Sequence, residues 1–155
     1  MTQGEPTVAD VMSKAVMALE LNVNAEDCAK AMAKRGVSCA VITQSGTAMG
    51  IVTERDLVSK VLAESIEPKD ALVRDIMSTP LITITPDAPL GAAAELMAQY
   101  RVRRLVVVGQ GGEMVGIVTA GDIARTLAEK QGYREPTLNA MARYGEGGLE
   151  SGPYQ

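Results

Sequence analysis

Apolar positions along this chain fall into short runs whose spacing switches between that of a strand and that of a helix. Val16 to Leu21 reads as a short strand. Ala25, Cys28, Ala29 and Met32 then recur at the i, i+3, i+4, i+7 spacing of a helix with one buried face, which predicts a helix over Ala25 to Arg35. Gly36 ends it, because a residue without Cβ readily takes the left-handed conformation that terminates helices. Ala40-Val41-Ile42 predicts a second strand, Gln44-Ser45-Gly46 a turn, and Met49 to Thr53 a third strand. That strand runs into a helix carrying Leu57, Val58, Val61 and Leu62. The order is strand, helix, strand, strand, helix.

The same order returns with Leu81 to Thr85, Ala88 to Tyr100, Leu105 to Val108, Glu113 to Thr119 and Ala120 to Lys130. Leu105-Val106-Val107-Val108 is apolar on both strand faces, as expected of a strand covered on each side. Two motifs recur with the pattern. Val8-Ala9-Asp10-Val11-Met12-Ser13 returns as Val73-Arg74-Asp75-Ile76-Met77-Ser78, and Gly50-Ile51-Val52-Thr53-Glu54-Arg55-Asp56 as Gly116-Ile117-Val118-Thr119-Ala120-Gly121-Asp122. This is an internal duplication, and it sets the architecture. A copy of under sixty residues has a marginal core by itself, so the two copies are expected to pack on each other. The expected fold is α/β, with two pseudo-twofold-related β-α-β-β-α repeats that create two related clefts, each carrying the same Thr and Asp. The expected boundaries are repeat one at 8–64, a linker at 65–72 in a polar stretch broken by Pro68, repeat two at 73–130, and a tail at 131–155. In the tail, Pro136 to Tyr144 could form a short helix with Leu138, Met141 and Ala142 on one face, but a flexible terminus is the expectation.

Composition narrows the chemistry. The 155 residues are 46% hydrophobic, with four Tyr and no Phe or Trp, so the core is aliphatic. Net charge is -4, and the basic residues are scattered except for Arg101, Arg103 and Arg104, a pattern that speaks against nucleic acid or an anionic membrane surface as partner. The absence of His removes the commonest general base and the commonest transition-metal ligand, so neither a metal nor a catalytic residue is assigned. Cys28 and Cys39, without Cys-x-x-Cys spacing, read as buried thiols of a reducing compartment. Met1 to Thr7 lacks a basic region followed by an apolar run, and no later segment approaches the length of a membrane span. A cytoplasmic location is expected.

With these motifs in place, the chain resembles a tandem pair of cystathionine-β-synthase (CBS) domains, the unit called a Bateman module, over about residues 8 to 130. The carriers are the Met-Ser openings Met12-Ser13 and Met77-Ser78, Thr85-Pro86-Asp87 before the first helix of copy two, and the paired Gly-Ile-Val-Thr-x-x-Asp endings. Copy two, from Tyr100 to Asp122, is also similar to the last repeat of the γ subunit of AMP-activated protein kinase.

The repeated Thr and Asp have two readings. As caps, Thr53 and Thr119 sit at helix N-termini and Asp56 and Asp122 complement the helix dipole. As a binding site, which the resemblance implies, the Asp carboxylate accepts from both ribose hydroxyls while the Thr hydroxyl and the exposed amides face phosphate. The copies are not equivalent. The resemblance implies that Thr83 contacts base or ribose, where copy one has Ala18, and that Arg103 and Arg104 contact phosphates, where copy one has Ser38 and Cys39. Arg55, replaced by Gly121 in copy two, could return some charge to the first cleft. One better phosphate site is therefore expected beside a weaker or vacant one.

The expected function is a regulatory module that binds an adenine nucleotide (AMP, ADP or ATP) or S-adenosylmethionine and modulates a protein partner or its own assembly, with a homodimer implied by the resemblance. The alternative is a structural interaction module in which the Thr and Asp residues are only caps. An enzyme using Asp56 or Asp122 with a metal lacks a third ligand or base in the sequence.

Overall fold

The structure is a computed structural model, and it describes residues 5–130. The helix considered at Pro136 to Tyr144 lies outside the described residues. In chain order the elements are α1 (Val8–Val11), β1 (Ala18–Glu20), α2 (Ala25–Arg35), β2 (Cys39–Gln44), β3 (Thr47–Thr53) and α3 (Glu54–Leu57), continued by a π-helical turn at Val58–Leu62. After a 3-10 turn at Pro68–Asp70 come α4 (Val73–Ile76), β4 (Thr83–Ile84), α5 (Leu90–Tyr100), β5 (Arg104–Val108), β6 (Met114–Thr119) and α6 (Ala120–Lys130).

The chain forms two compact units, and they are offset from the sequence repeats. One is Ala15–Leu81; the other joins the segment ending at Lys14 to the chain from Ile82 onward. Each contains a three-stranded sheet, β1-β2-β3 or β4-β5-β6, with the first pair parallel and the second antiparallel. The Met-Ser opening of each copy is thus built into the sheet of the other copy.

The packing of the two repeated motifs explains the offset. Ser13 exchanges backbone hydrogen bonds with Ile117 of β6 at 2.8 and 2.9 Å, and Ser78 does so with Ile51 of β3 at 2.7 and 3.2 Å. The side chains of Met12 and Met77 then lie on Gly116 and Gly50. A Cβ on Gly116 would stand 2.7 Å from the Met12 sulfur and 2.8 Å from the Ser13 carbonyl oxygen; on Gly50 the distances to Met77 and Ser78 are 2.8 and 2.9 Å. Glycine opens both Gly-Ile-Val-Thr motifs because a main chain passes directly over it. Ahead of the Met, α1 and α4 are single turns that the apolar spacing did not predict. Each inserts a fully buried Val, Val8 or Val73, into the core of the sheet it joins.

The cores are aliphatic. In the Ala15–Leu81 unit, Cys28 and Met32 of α2 pack with Ala40, Ile42 and Val52 of the sheet and with Val73 and Ile76. In the other, Leu90, Ala93 and Met97 of α5 meet Leu105, Val107, Val118, Ile123 and Val8. Burying a side chain of this size contributes about 1.5–3 kcal/mol. Helix α2 has the extent its periodicity predicts. Asn24 caps it by accepting from the Asp27 amide at 2.8 Å, and Gly36 ends it at φ +66.

The last helix of copy one differs from expectation. After Leu57 the chain shifts to a π-helical turn, closed by the Ala63 amide on the Val58 carbonyl at 2.8 Å. The wider turn changes the angle between successive side chains, so Val61 stays buried while Val58 and Leu62 are exposed. In copy two, α6 runs as an unbroken α-helix over Ala120–Lys130.

Candidate functional site

Strand register decides which candidate residues share a face. Side chains alternate along a strand, and directly paired residues point the same way. Thr83 pairs with Val106, Val106 with Ile117, and Arg104 with Thr119. Thr83, Arg104 and Thr119 therefore lie on one face of the β4-β5-β6 sheet, opposite the face that carries Ile84, Leu105, Val107 and Val118 into the core. Arg103 precedes β5, and its carbonyl accepts from the Ala120 amide at 2.9 Å, which ties it to the start of α6. The sheet of the other unit presents the corresponding face with Ala18 paired to Val41 and Cys39 paired to Thr53. Ala18 and Cys39 thus occupy the register positions of Thr83 and Arg104, as the sequence alignment of the two copies predicts.

At the end of β3, Thr53 is the N-cap of α3. Its amide donates to Asp56 Oδ2 at 2.9 Å, its hydroxyl lies 3.2 Å from the same oxygen, and the Asp56 amide donates back to Thr53 Oγ1 at 3.3 Å. At the end of β6, the Thr119 amide donates to Asp122 Oδ2 at 3.0 Å and the Asp122 amide to Thr119 Oγ1 at 3.1 Å. The capping arrangement is present in both copies. It leaves a helix N-terminus at the edge of the face that holds Thr83 and Arg104, a geometry suited to an anion.

The two carboxylates differ beyond their caps. Asp56 is buried, with 7% of its side chain exposed; Oδ1 pairs with Lys60 Nζ at 3.0 Å and accepts from Ser78 Oγ at 3.0 Å. Lys60 Nζ also donates to the Ile76 carbonyl at 2.9 Å. Asp122 is half-buried, and the residue four positions on is Thr126, whose hydroxyl donates to the Asp122 backbone carbonyl at 3.0 Å. Arg55 is exposed on the first turn of α3, whereas Gly121 places no side chain over the corresponding amides of α6. Lys60 and Ser78 were not among the candidates read from sequence. The Asp-Lys spacing of four was legible as a helical pair. The role of Ser78 was not, because it depends on which sheet the Met-Ser segment joins.

One expectation about the thiols is corrected. Cys28 is buried, but Cys39, at the first position of β2, is only half-buried. Burial pushes the Cys28 thiol up to about 11. Cys28 is accordingly expected to resist alkylation at pH 8 in the folded protein and to react once urea unfolds it, with Cys39 modified first, as read by peptide mass mapping. Among the described residues, no group of His, Cys, Asp and Glu is placed to hold a metal ion, and no helix is long and apolar enough to cross a membrane.

The chain matches the CBS domain family at residues 8–63 and 73–129, and it belongs to that family as a tandem pair. Among its relatives, protein MK0525 of Methanopyrus kandleri is 36% identical over 118 residues, which span 76% of this chain and 60% of that protein. The CBS domain pair of protein MJ0100, solved with 5′-methylthioadenosine and S-adenosyl-L-methionine, is 29% identical with a TM-score of 0.73. The match covers 82% of this chain and 99% of that one. CBS domain protein PAE2072 of Pyrobaculum aerophilum, solved with AMP, is 26% identical with a TM-score of 0.68, over 75% of this chain and 88% of that one.

Proposed function

We propose that this protein is a cytoplasmic regulatory module that binds an adenine nucleotide or S-adenosylmethionine and passes that binding on to a protein partner or to its own assembly. The observation that carries the reading is the shared face of Thr83, Arg104 and Thr119 beside the helix start that bears Asp122. On this reading Asp122 accepts from the ribose hydroxyls, Thr83 contacts base or ribose, and Thr119, Arg103 and Arg104 meet the phosphate. The AMP found with PAE2072 and the adenosyl ligands found with MJ0100 support the ligand class.

The first test is thermal unfolding with AMP, ADP, ATP and S-adenosylmethionine, alongside native mass spectrometry of freshly purified protein. A ligand that binds only the folded state at a hundredfold excess over its Kd stabilises it by about 2.7 kcal/mol. A flat response to all four ligands removes the reading and leaves the interaction module. The phosphate assignment has its own check. Arg104→Ala is expected to weaken AMP by roughly 1.5–3 kcal/mol, the range for a hydrogen bond to a charged group, and to leave adenosine nearly unchanged in calorimetric titration. Cys39→Ala, at the matching register position, is expected to change neither.

Self-association is supported by a separate observation. Each sequence repeat leaves apolar side chains exposed on its last helix, Val58 and Leu62 in the first and Leu127 in the second. Burying them favours a homodimer, which native mass spectrometry reads directly.

A further inference from the structure

Asp56 and Asp122 occupy equivalent places in the duplicated motif, but only one has acceptor capacity to spare. An ionised carboxylate offers about four lone-pair positions. Those of Asp56 are taken by the Thr53 amide at 2.9 Å, the Thr53 hydroxyl at 3.2 Å, the Ser78 hydroxyl at 3.0 Å and the Lys60 ammonium at 3.0 Å. A sugar hydroxyl that would donate to the carboxylate finds none vacant, and removing one occupant would open a single position.

Lys60 is the member of this set that copy two does not reproduce. Its ammonium is shared between Asp56 and the Ile76 carbonyl, so it fastens the Met-Ser segment to the helix start as well as neutralising the carboxylate. At the matching position Thr126 turns its hydroxyl back to the helix backbone and brings no cation to Asp122. Among the described residues no ion pair forms on Asp122.

We infer that Lys60 silences the first repeat as a nucleoside site, so that the diol of an adenosyl ligand is read by Asp122 and each chain holds one ligand. The inference rests on the adenosyl-binding reading above and assigns it to one repeat. It makes Lys60 a positioning residue that settles which copy binds, although both copies carry the Thr-x-x-Asp motif.

The test is calorimetric titration and native mass spectrometry of the full chain with AMP, on wild type, Thr126→Lys, Thr126→Met and Lys60→Met, each first checked for cooperative melting. Wild type is expected to take one AMP per chain. Thr126→Lys, which puts an ammonium four residues after Asp122, is expected to raise the Kd at least about tenfold by competing for a charge-assisted hydrogen bond, whereas the uncharged Thr126→Met stays within about twofold. Lys60→Met is expected to keep the wild-type Kd and to admit a second, weaker AMP. Two equivalent sites in wild type, equal affinities for the two Thr126 variants, or one AMP per chain in Lys60→Met would each overturn the inference. Should Thr126→Lys fail to fold, the stoichiometry of wild type and Lys60→Met decides. Absence of binding by wild type to AMP, ADP, ATP and S-adenosylmethionine alike overturns the adenosyl reading itself, a result distinct from binding at the wrong number of sites. A wild type that takes one of the other three instead of AMP is titrated with that ligand.

Discussion

Asp56→Ala is expected to lower the unfolding free energy of the ligand-free protein by about 2–4 kcal/mol, and Asp122→Ala by only about 0.5–2 kcal/mol. The smaller figure is the usual loss of a helix cap, because the described bonds of the Asp122 carboxylate are confined to its own helix start. At Asp56 the same cap is lost together with the Ser78 hydrogen bond and the Lys60 pair. The pair counts at a discount. Lys60 keeps 42% of its side chain in solvent, where much of an ion pair's Coulomb energy is screened. What remains is the hydroxyl of Ser78 left without its acceptor and a Met-Ser segment held to the helix by one fewer contact. Urea unfolding followed by circular dichroism gives both values. Equal losses at the two positions would mean that Asp56 does no more than cap its helix.

The contrast marks the limit of what the sequence discloses. Helix α2 was legible from end to end, since its apolar spacing and Gly36 stop are local signals. So was the start of α6 at Ala120, and so was the register equivalence of Arg104 with Cys39, which follows from the alignment of the copies. The exposed Val58 and Leu62 were not, because a π-helical turn has no spacing signature to separate it from an α-helix. Neither were α1 and α4. Each is one turn long, too short for periodicity, and each is held by its buried Val and by bonds to distant chain, such as the Val8 amide on the Ala88 carbonyl and the Val73 amide on the Val23 carbonyl. Thr53, Asp56, Thr119 and Asp122 were found because the duplication repeats them, and Thr83, Arg103 and Arg104 through the family resemblance. Lys60 was missed because neither signal points to it.

Gly116→Val is expected to destabilise the unit that contains α6 by about 3 kcal/mol, the upper end of the range for overpacking a filled site. The reason is that one of the two obstructing atoms cannot yield. The Met12 sulfur, 2.7 Å from the position of a new Cβ, belongs to a flexible side chain that could rotate away. The Ser13 carbonyl oxygen, at 2.8 Å, is main chain, and it is held to the Ile117 amide at 2.9 Å. Relieving the clash therefore requires breaking the bonds that fasten the Met-Ser segment to β6. Met12→Ala combined with Gly116→Val is expected to recover only part of the loss, since it removes the sulfur and leaves the carbonyl. Gly50→Val is expected to behave alike against Met77 and Ser78. Gly91→Ala is the control with the opposite sign. It lies in α5 with nothing within 4 Å of a new Cβ, so it is expected to add about 0.5–1 kcal/mol through the lower backbone entropy of the unfolded chain. Thermal melts of the four variants separate the two cases. If Gly116→Val melts with the wild type while Gly91→Ala stabilises, the Met-Ser segment does not lie on β6 as described, and the offset between repeat and packing unit goes with it.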